Sequence, residues 1–223
     1  MRRLARLPAL AIGLALACSC ASVAVAVPPP AASPWFVRVG AVGVFYDSSA
    51  VIETNDQPLP GASVTVSNNE TFTLDIGYDL TRHIAVSLLV GAPPKPTITG
   101  DGTIASLGEL GRVRFGPVML TGFYRFRPAD AFTPYAGLGM AYVIVFNEYD
   151  GAVEDLDVHD NWGYVAQAGA EVHVSPKCAF YVDLKHAWLD VEADGFLAGG
   201  VPLSATVTLD PLLVTVGAKF RFR

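Results

Sequence analysis

The sequence predicts an all-β fold, an eight-stranded antiparallel up-and-down transmembrane β-barrel with short periplasmic turns and long extracellular loops. Three observations carry this. The chain of 223 residues is 52% hydrophobic and only 16% charged, greasier than soluble domains, which are about 25% charged. Yet outside the N-terminus no apolar run reaches the ~18 residues of a membrane-spanning helix. The apolar residues instead alternate with polar ones, the period of a strand whose two faces meet different surroundings. The connections between these stretches also alternate between short and long, as they do in outer-membrane barrels. A soluble sandwich shares the alternation but does not sort its connections this way.

Read in order, the chain begins with a secretory signal peptide over residues 1–26. Arg2, Arg3 and Arg6 form its positive region, Leu7 to Ala17 its apolar region, and Ala24-Val25-Ala26 its cleavage site. A lipoprotein signal at Cys18 or Cys20 is the rival, but Ala15 and Ala17 stand where such signals carry leucine. Residues 27–223 then form a single barrel domain. It holds one cysteine, Cys178, which rules out an internal disulfide. The segment from Val27 to Ser33 is a Pro/Ala-rich leader.

Eight alternating stretches follow, at about 34–46, 69–80, 83–92, 112–127, 132–147, 161–174, 178–191 and 205–222. In the second, Phe72, Leu74, Ile76, Tyr78 and Leu80 occupy one face and Thr73, Asp75, Gly77 and Asp79 the other. In the sixth, Trp162, Tyr164, Ala166, Ala168 and Ala170 alternate with Gly163, Val165, Gln167, Gly169 and Glu171. In the last, Leu212, Val214, Val216, Ala218, Phe220 and Phe222 alternate with Leu213, Thr215, Gly217, Lys219 and Arg221. Short turns stand at Thr81-Arg82, Arg127–Ala131 and Ser175–Lys177. Long links run over Asp47–Asn68, Pro93–Gly111, Glu148–Asp160 and Glu192–Ser204. An even strand number places both termini on the periplasmic side, and eight strands leave an interior largely filled by side chains. Aromatics near strand ends, among them Trp35, Phe36, Phe123, Tyr135, Trp162, Tyr181, Trp188 and Phe220, fit the girdles at the two membrane interfaces.

Several segments resemble the OmpW-like family of outer-membrane proteins. They are Trp35–Gly40, Asn69–Phe72, Gly116–Leu120 with Tyr124-Arg125-Phe126, Phe132–Gly139, Trp162-Gly163 with Gln167-Ala168-Gly169, and Asp210-Pro211. The F-x-P-Y-x-G-x-G and W-G-x-x-x-Q-A-G stretches are the most specific. The resemblance spans nearly the whole mature chain and implies an integral barrel of the Gram-negative outer membrane. It further implies a narrow, largely apolar channel for passive uptake or efflux of small hydrophobic molecules. Recognition of a terminal aromatic by the barrel-assembly machinery is also implied, although here Arg223 follows Phe222. The alternative function is a structural or adhesion barrel with a closed lumen and loop-mediated contacts.

With the apolar faces towards lipid, the other faces put Arg38, Asp75, His83, Arg125, Gln167, Glu171, His173, Asp183, Lys185, Lys219 and Arg221 in the lumen. Both signs are present, so these charges can pair as burial requires. Leu89, Val143, Val145 and Val165 line an apolar stretch nearer the long loops. No enzyme is expected: G-x-S-x-G is absent, and no serine pairs in sequence with His83, His159, His173 or His186. Asp150, Glu154, Asp155, Asp157, His159 and Asp160 crowd one long link, but without a metal-binding spacing, so neither metal nor cofactor is expected. The formal charge is −6, and the leader carries three of the basic residues and no acid. The mature chain is more acidic still and has no basic cluster, which excludes nucleic acid as a partner. The expected partners are outer-membrane lipid or lipopolysaccharide, small hydrophobic solutes, and the assembly machinery.

Overall fold

A computed structural model describes residues 33–222, apart from positions 56, 129 and 198. The expected signal peptide, the expected leader up to residue 32, and Arg223 lie outside the described residues. Eight strands close into an antiparallel barrel: β1 Trp35–Phe45, β2 Asn69–Asp79, β3 Ile84–Gly91, β4 Glu109–Arg125, β5 Phe132–Asp150, β6 Asn161–His173, β7 Cys178–Trp188 and β8 Leu212–Arg221. Each pairs with its neighbours in sequence. The ring closes where β1 meets β8, from Phe36 opposite Arg221 to Phe45 opposite Leu212. Closure leaves no free edge, the condition for a sheet to cross a bilayer.

Alternation holds through the wall. In β1, Phe36, Arg38, Gly40, Val42 and Val44 point inward, while Trp35, Val39, Ala41 and Phe45 point outward. The outer wall is frankly apolar: Phe72, Leu138 and Tyr164 are each about 70% exposed, a surface that only a bilayer covers. Inward glycines make room for large interior rings. A Cβ on Gly77 would lie 1.9 Å from the Phe36 ring, and one on Gly169 would lie 2.5 Å from the Tyr135 hydroxyl.

The long links are not plain loops. They carry short strands, Ser49–Thr54, Gln57–Pro58, Ala62–Val66, Thr97–Gly102, Val153–Val158, Asp190–Leu197 and Val201–Thr208. Five of these form a second sheet over the outer end, and Ala62–Val66 pairs with Thr97–Gly102, which pairs with the top of β4. The cause is the length of β4 and β5, 17 and 19 residues, which project as a twisted ribbon with a bulge at Arg114/Phe115. Thr97–Gly102 ladders onto this rim at β4, whereas the five-stranded sheet makes no ladder with β4 or β5 and meets them through apolar packing around Leu110, Val113, Phe115 and Val143. The stretch expected over 205–222 is therefore two strands, broken at Asp210, whose φ of 32° turns the chain ahead of Pro211. Beneath the cap lies an apolar cluster that includes Ile52, Val64, Leu110, Val153, Val191 and Val207.

Candidate functional site

The candidate site is the barrel interior, which changes character along its axis. The inner, short-turn half is ionic. Arg38 on β1 pairs with the Glu171 carboxylate on β6 and sits 3.9 Å from Asp75 on β2. Lys219 on β8 donates to both Glu171 oxygens at 3.0 and 2.8 Å. Nearer the mouth, Asp79 binds Arg125 at 2.7 Å and Arg221 at 2.6 Å. Asp183 pairs with Lys185 two residues along β7 and accepts from the Tyr135 hydroxyl at 2.7 Å. Arg38, Glu171, Asp183, Lys185 and Lys219 are all buried. Ion pairing is what makes such burial tolerable, because each unpaired ion would cost several kcal/mol, but Arg38 Nε and Asp75 Oδ1 are buried without a hydrogen-bond partner.

Four rings complete this level. The Arg38 guanidinium carbon lies 5.2, 4.8, 4.9 and 5.3 Å from the centroids of Phe36, Phe123, Tyr135 and Tyr181, close enough for cation–π attraction on every side. The girdle expectation fails for Phe36, Phe123, Tyr135 and Tyr181, all buried and pointing inward. The signal was available, since Phe36 shares its parity with Arg38, Phe123 with Arg125, and Tyr181 with Asp183. His83 is corrected in the opposite sense. It is exposed, stacks on the outward ring of Tyr124 at 5.3 Å, and its Nδ1 meets the Arg125 carbonyl. It belongs to the turn, where Thr81 Oγ1 holds the amides of His83 and Ile84, so strand alternation does not reach it. His173 lies at the inner mouth, 3.6 Å from Glu171. There Arg82, Arg125, His173 and Arg221 border a cavity of about 270 Å³.

A belt of small polar groups follows. Ser87 bonds to Thr121 at 3.2 Å, while the Gln167 carboxamide and Thr215 hydroxyl are buried without a protein partner. Above the belt the interior is apolar. Val42, Val44, Leu89, Met119, Ala141, Val165, Ala187 and Leu213 pack as one cluster. All of them but Val165 border a void of about 30 Å³, which Val143 and Phe115 also line. A second void of the same size lies above it, between Val143, Val145, Val158, Val191 and Val207. Each could hold little more than one water, and apolar cavities of that kind stay dry.

The first void reaches the wall. Gly91, Ala92, Pro94 and Pro117 border it together with Val42 and Leu213. Here the β3–β4 ladder stops at Val90 opposite Val118, and pairing on this side of β4 resumes only at Thr97 opposite Arg112. Pro93, Pro94, Pro96 and Pro117 crowd the interval. Proline has no N–H to donate, so no regular ladder can close it. The acidic link serves the outer end structurally: Asp160 accepts from the Tyr142 hydroxyl and the Val145 amide, and Asp150 from the Leu156 amide.

Comparison with known proteins places this architecture. The OmpW family matches residues 32–222. The dibenzothiophene metabolism operon protein PahQ of Pseudomonas aeruginosa is 32% identical over 190 residues, covering 85% of this chain and 89% of that protein. Outer membrane protein AlkL of Ectopseudomonas oleovorans is 32% identical over 164 residues, covering 74% and 71%. The crystal structure of OprG from Pseudomonas aeruginosa superposes with a TM-score of 0.80 at 21% identity, covering 86% of this chain and 97% of that one. With its closed eight-stranded wall, capped outer end and lipid-facing apolar belt, this chain belongs to the OmpW family of outer-membrane proteins.

Proposed function

We propose that this barrel is a passive, non-catalytic conduit that takes small apolar molecules from the outer end and releases them sideways into the membrane between β3 and β4. One observation carries the reading: the apolar void ends at the proline-rich interval of the wall, while the ionic half lies beneath it. A solute burying its surface there gains about 25 cal/mol per Å². Going further down the axis would mean displacing paired charges, which is far costlier than parting a wall segment that has little ladder to break. The dibenzothiophene-operon relative is consistent with an apolar aromatic solute. A passive role also fits the inward Ser87, which bonds to a threonine and not to a histidine.

The smallness of the voids favours a second reading, a closed barrel that acts only through its outer sheet. A crosslink separates the two. A Cβ on Gly116 would stand 3.7 Å from the Pro93 Cβ, within the range of a disulfide. In a Cys178→Ser background, Pro93→Cys with Gly116→Cys should, once oxidised, abolish uptake of a hydrophobic fluorescent probe by cells, and reduction should restore it. Val143→Asp and Leu89→Asp should lower uptake with the wall intact, and proteoliposomes should conduct few ions. Uptake that is unchanged by deleting the protein, or by the crosslink, overturns the sideways route.

A further inference from the structure

Basic residues are unevenly placed on the outside of this barrel. Among the described residues, the cations not enclosed in the interior lie in or next to the inner turns, as Arg82, Arg127, Lys177 and Arg221 do, except for Lys95, Arg112 and Arg114. Those three stand at the outer end, where the acids of the long links otherwise dominate, and they stand together. Thr97 faces Arg112 and Ile98 faces Gly111. The ladder ends there, and the Val113 amide, which donates to the Pro96 carbonyl at 3.4 Å, keeps the adjoining Lys95 beside the Arg112–Arg114 stretch of β4. Lys95 Nζ lies 3.4 Å from the ring centroid of Tyr149, the cross-strand neighbour of Arg112. Its side chain therefore crosses the outer face of β4 beside both arginines.

Like charges facing each other across strands repel. Arg112 is compensated by Glu109 at 2.8 and 3.0 Å. Lys95 and Arg114 are exposed, and neither has a carboxylate partner among the described residues. The height of the pair identifies what compensates them. Below Arg114 on the same face come Gly116, Val118 and Leu120. Phe146 lies beside Gly116, and Tyr142, packed on Trp162 at 4.5 Å, lies opposite Val118. Apolar wall gives way to an aromatic level and then to these cations, the order in which a strand leaves hydrocarbon for headgroups. At that height the anionic groups of a membrane leaflet are its lipid phosphates.

We propose that Lys95 and Arg114 hold a phosphate of a lipid A-type glycolipid in the outer leaflet. Bound there, the phosphate bridges the 92–96 connection to β4 and so joins the two lips of the unladdered interval. The inference rests on the barrel's place in the outer membrane, and its test reads lipid binding and not solute passage.

The test titrates fluorescent diphosphoryl lipid A into the full barrel held in phosphatidylcholine nanodiscs. Each cation near an anionic lipid surface contributes roughly fivefold in affinity, so Lys95→Ala with Arg114→Ala should weaken binding about thirtyfold. Lys95→Arg with Arg114→Lys should restore most of it, and Arg127→Gln at the inner end should change nothing. Wild-type protein should also bind lipid A stripped of phosphate much more weakly, an arm that needs no variant to fold. Equal binding by the double alanine variant, an equal loss in Arg127→Gln, or indifference to the phosphates would each overturn the proposal.

Discussion

The inner and outer halves of this barrel share one wall and one side-chain period, yet they are filled by opposite means. The inner half holds ions and large rings on glycine stations; the outer half holds valine, alanine, leucine and methionine around small voids. An ionic fill is directional, since Arg38, Glu171 and Lys219 must each meet a particular partner, and removing one strands the others. An aliphatic fill is not directional and can rearrange at small cost. The first half is suited to block a path and the second to open one, which is why the wall interval lies beside the second.

That contrast can be broken by measurement, beginning with its largest expected effect. Glu171→Gln leaves Arg38 and Lys219 buried with half a partner and should cost about 3–5 kcal/mol in reversible urea unfolding from micelles. A loss no greater than that of an outer-half truncation would erase the distinction. Next, Ala168→Arg puts a charge on the lipid face at mid-strand and should cost about 2–4 kcal/mol. Its neighbour Gln167→Glu, inward and paired in register with Lys185, should cost under about 1 kcal/mol, since the new charge meets an opposite one. Comparable losses at both sites would show that the two faces are misassigned. Tyr135→Phe removes a donor to Asp183 and should cost about 1.5–3 kcal/mol in the same assay. Smallest of all, Ala141→Val enters the apolar cluster beside the void and should shift stability by less than about 1 kcal/mol while lowering probe uptake measurably. A large destabilisation there would mean that the outer fill is as rigid as the inner one.

Much of this was legible in the sequence because a lipid-facing wall enforces alternation over most of its length. Trp162, Tyr164 and Ala168 must face out if Val165, Gln167 and Glu171 face in, and the inward charges follow from parity alone. Legibility failed where something other than alternation governs. His83 sits in a turn whose geometry is set by the Thr81 side chain. Phe36, Tyr135 and Tyr181 lie near strand ends, where a girdle was the simpler expectation, and only their parity revealed the ring cage. The strands in the long links were hidden for another reason. Segments such as Val153–Val158 and Ala62–Val66 are short, the first carries Asp155 and Asp157 in its middle, and each pairs with a strand of another long link, Asp190–Leu197 and Thr97–Gly102 respectively. Which links meet is set by the closed barrel that brings them together, which composition does not reveal. The β3–β4 interval was half legible: its prolines are plain in the sequence, but their alignment across two strands is a matter of register.

The ionic cluster also bears on the order in which the molecule comes together. Its members come from β1, β2, β4, β6, β7 and β8, and β1 meets β8 only when the two ends of the chain are joined. Until that seam forms, Arg38 and Lys219 cannot share Glu171, and an open sheet would have to keep this row of charges in water while its other face entered lipid. The last strand thus delivers both the final ladder and the final counter-charge in one event. A chain carrying Lys219→Met, which lacks that counter-charge, should therefore accumulate as an unsealed, protease-sensitive sheet at the membrane surface, and protease protection equal to that of the wild type would overturn this expectation.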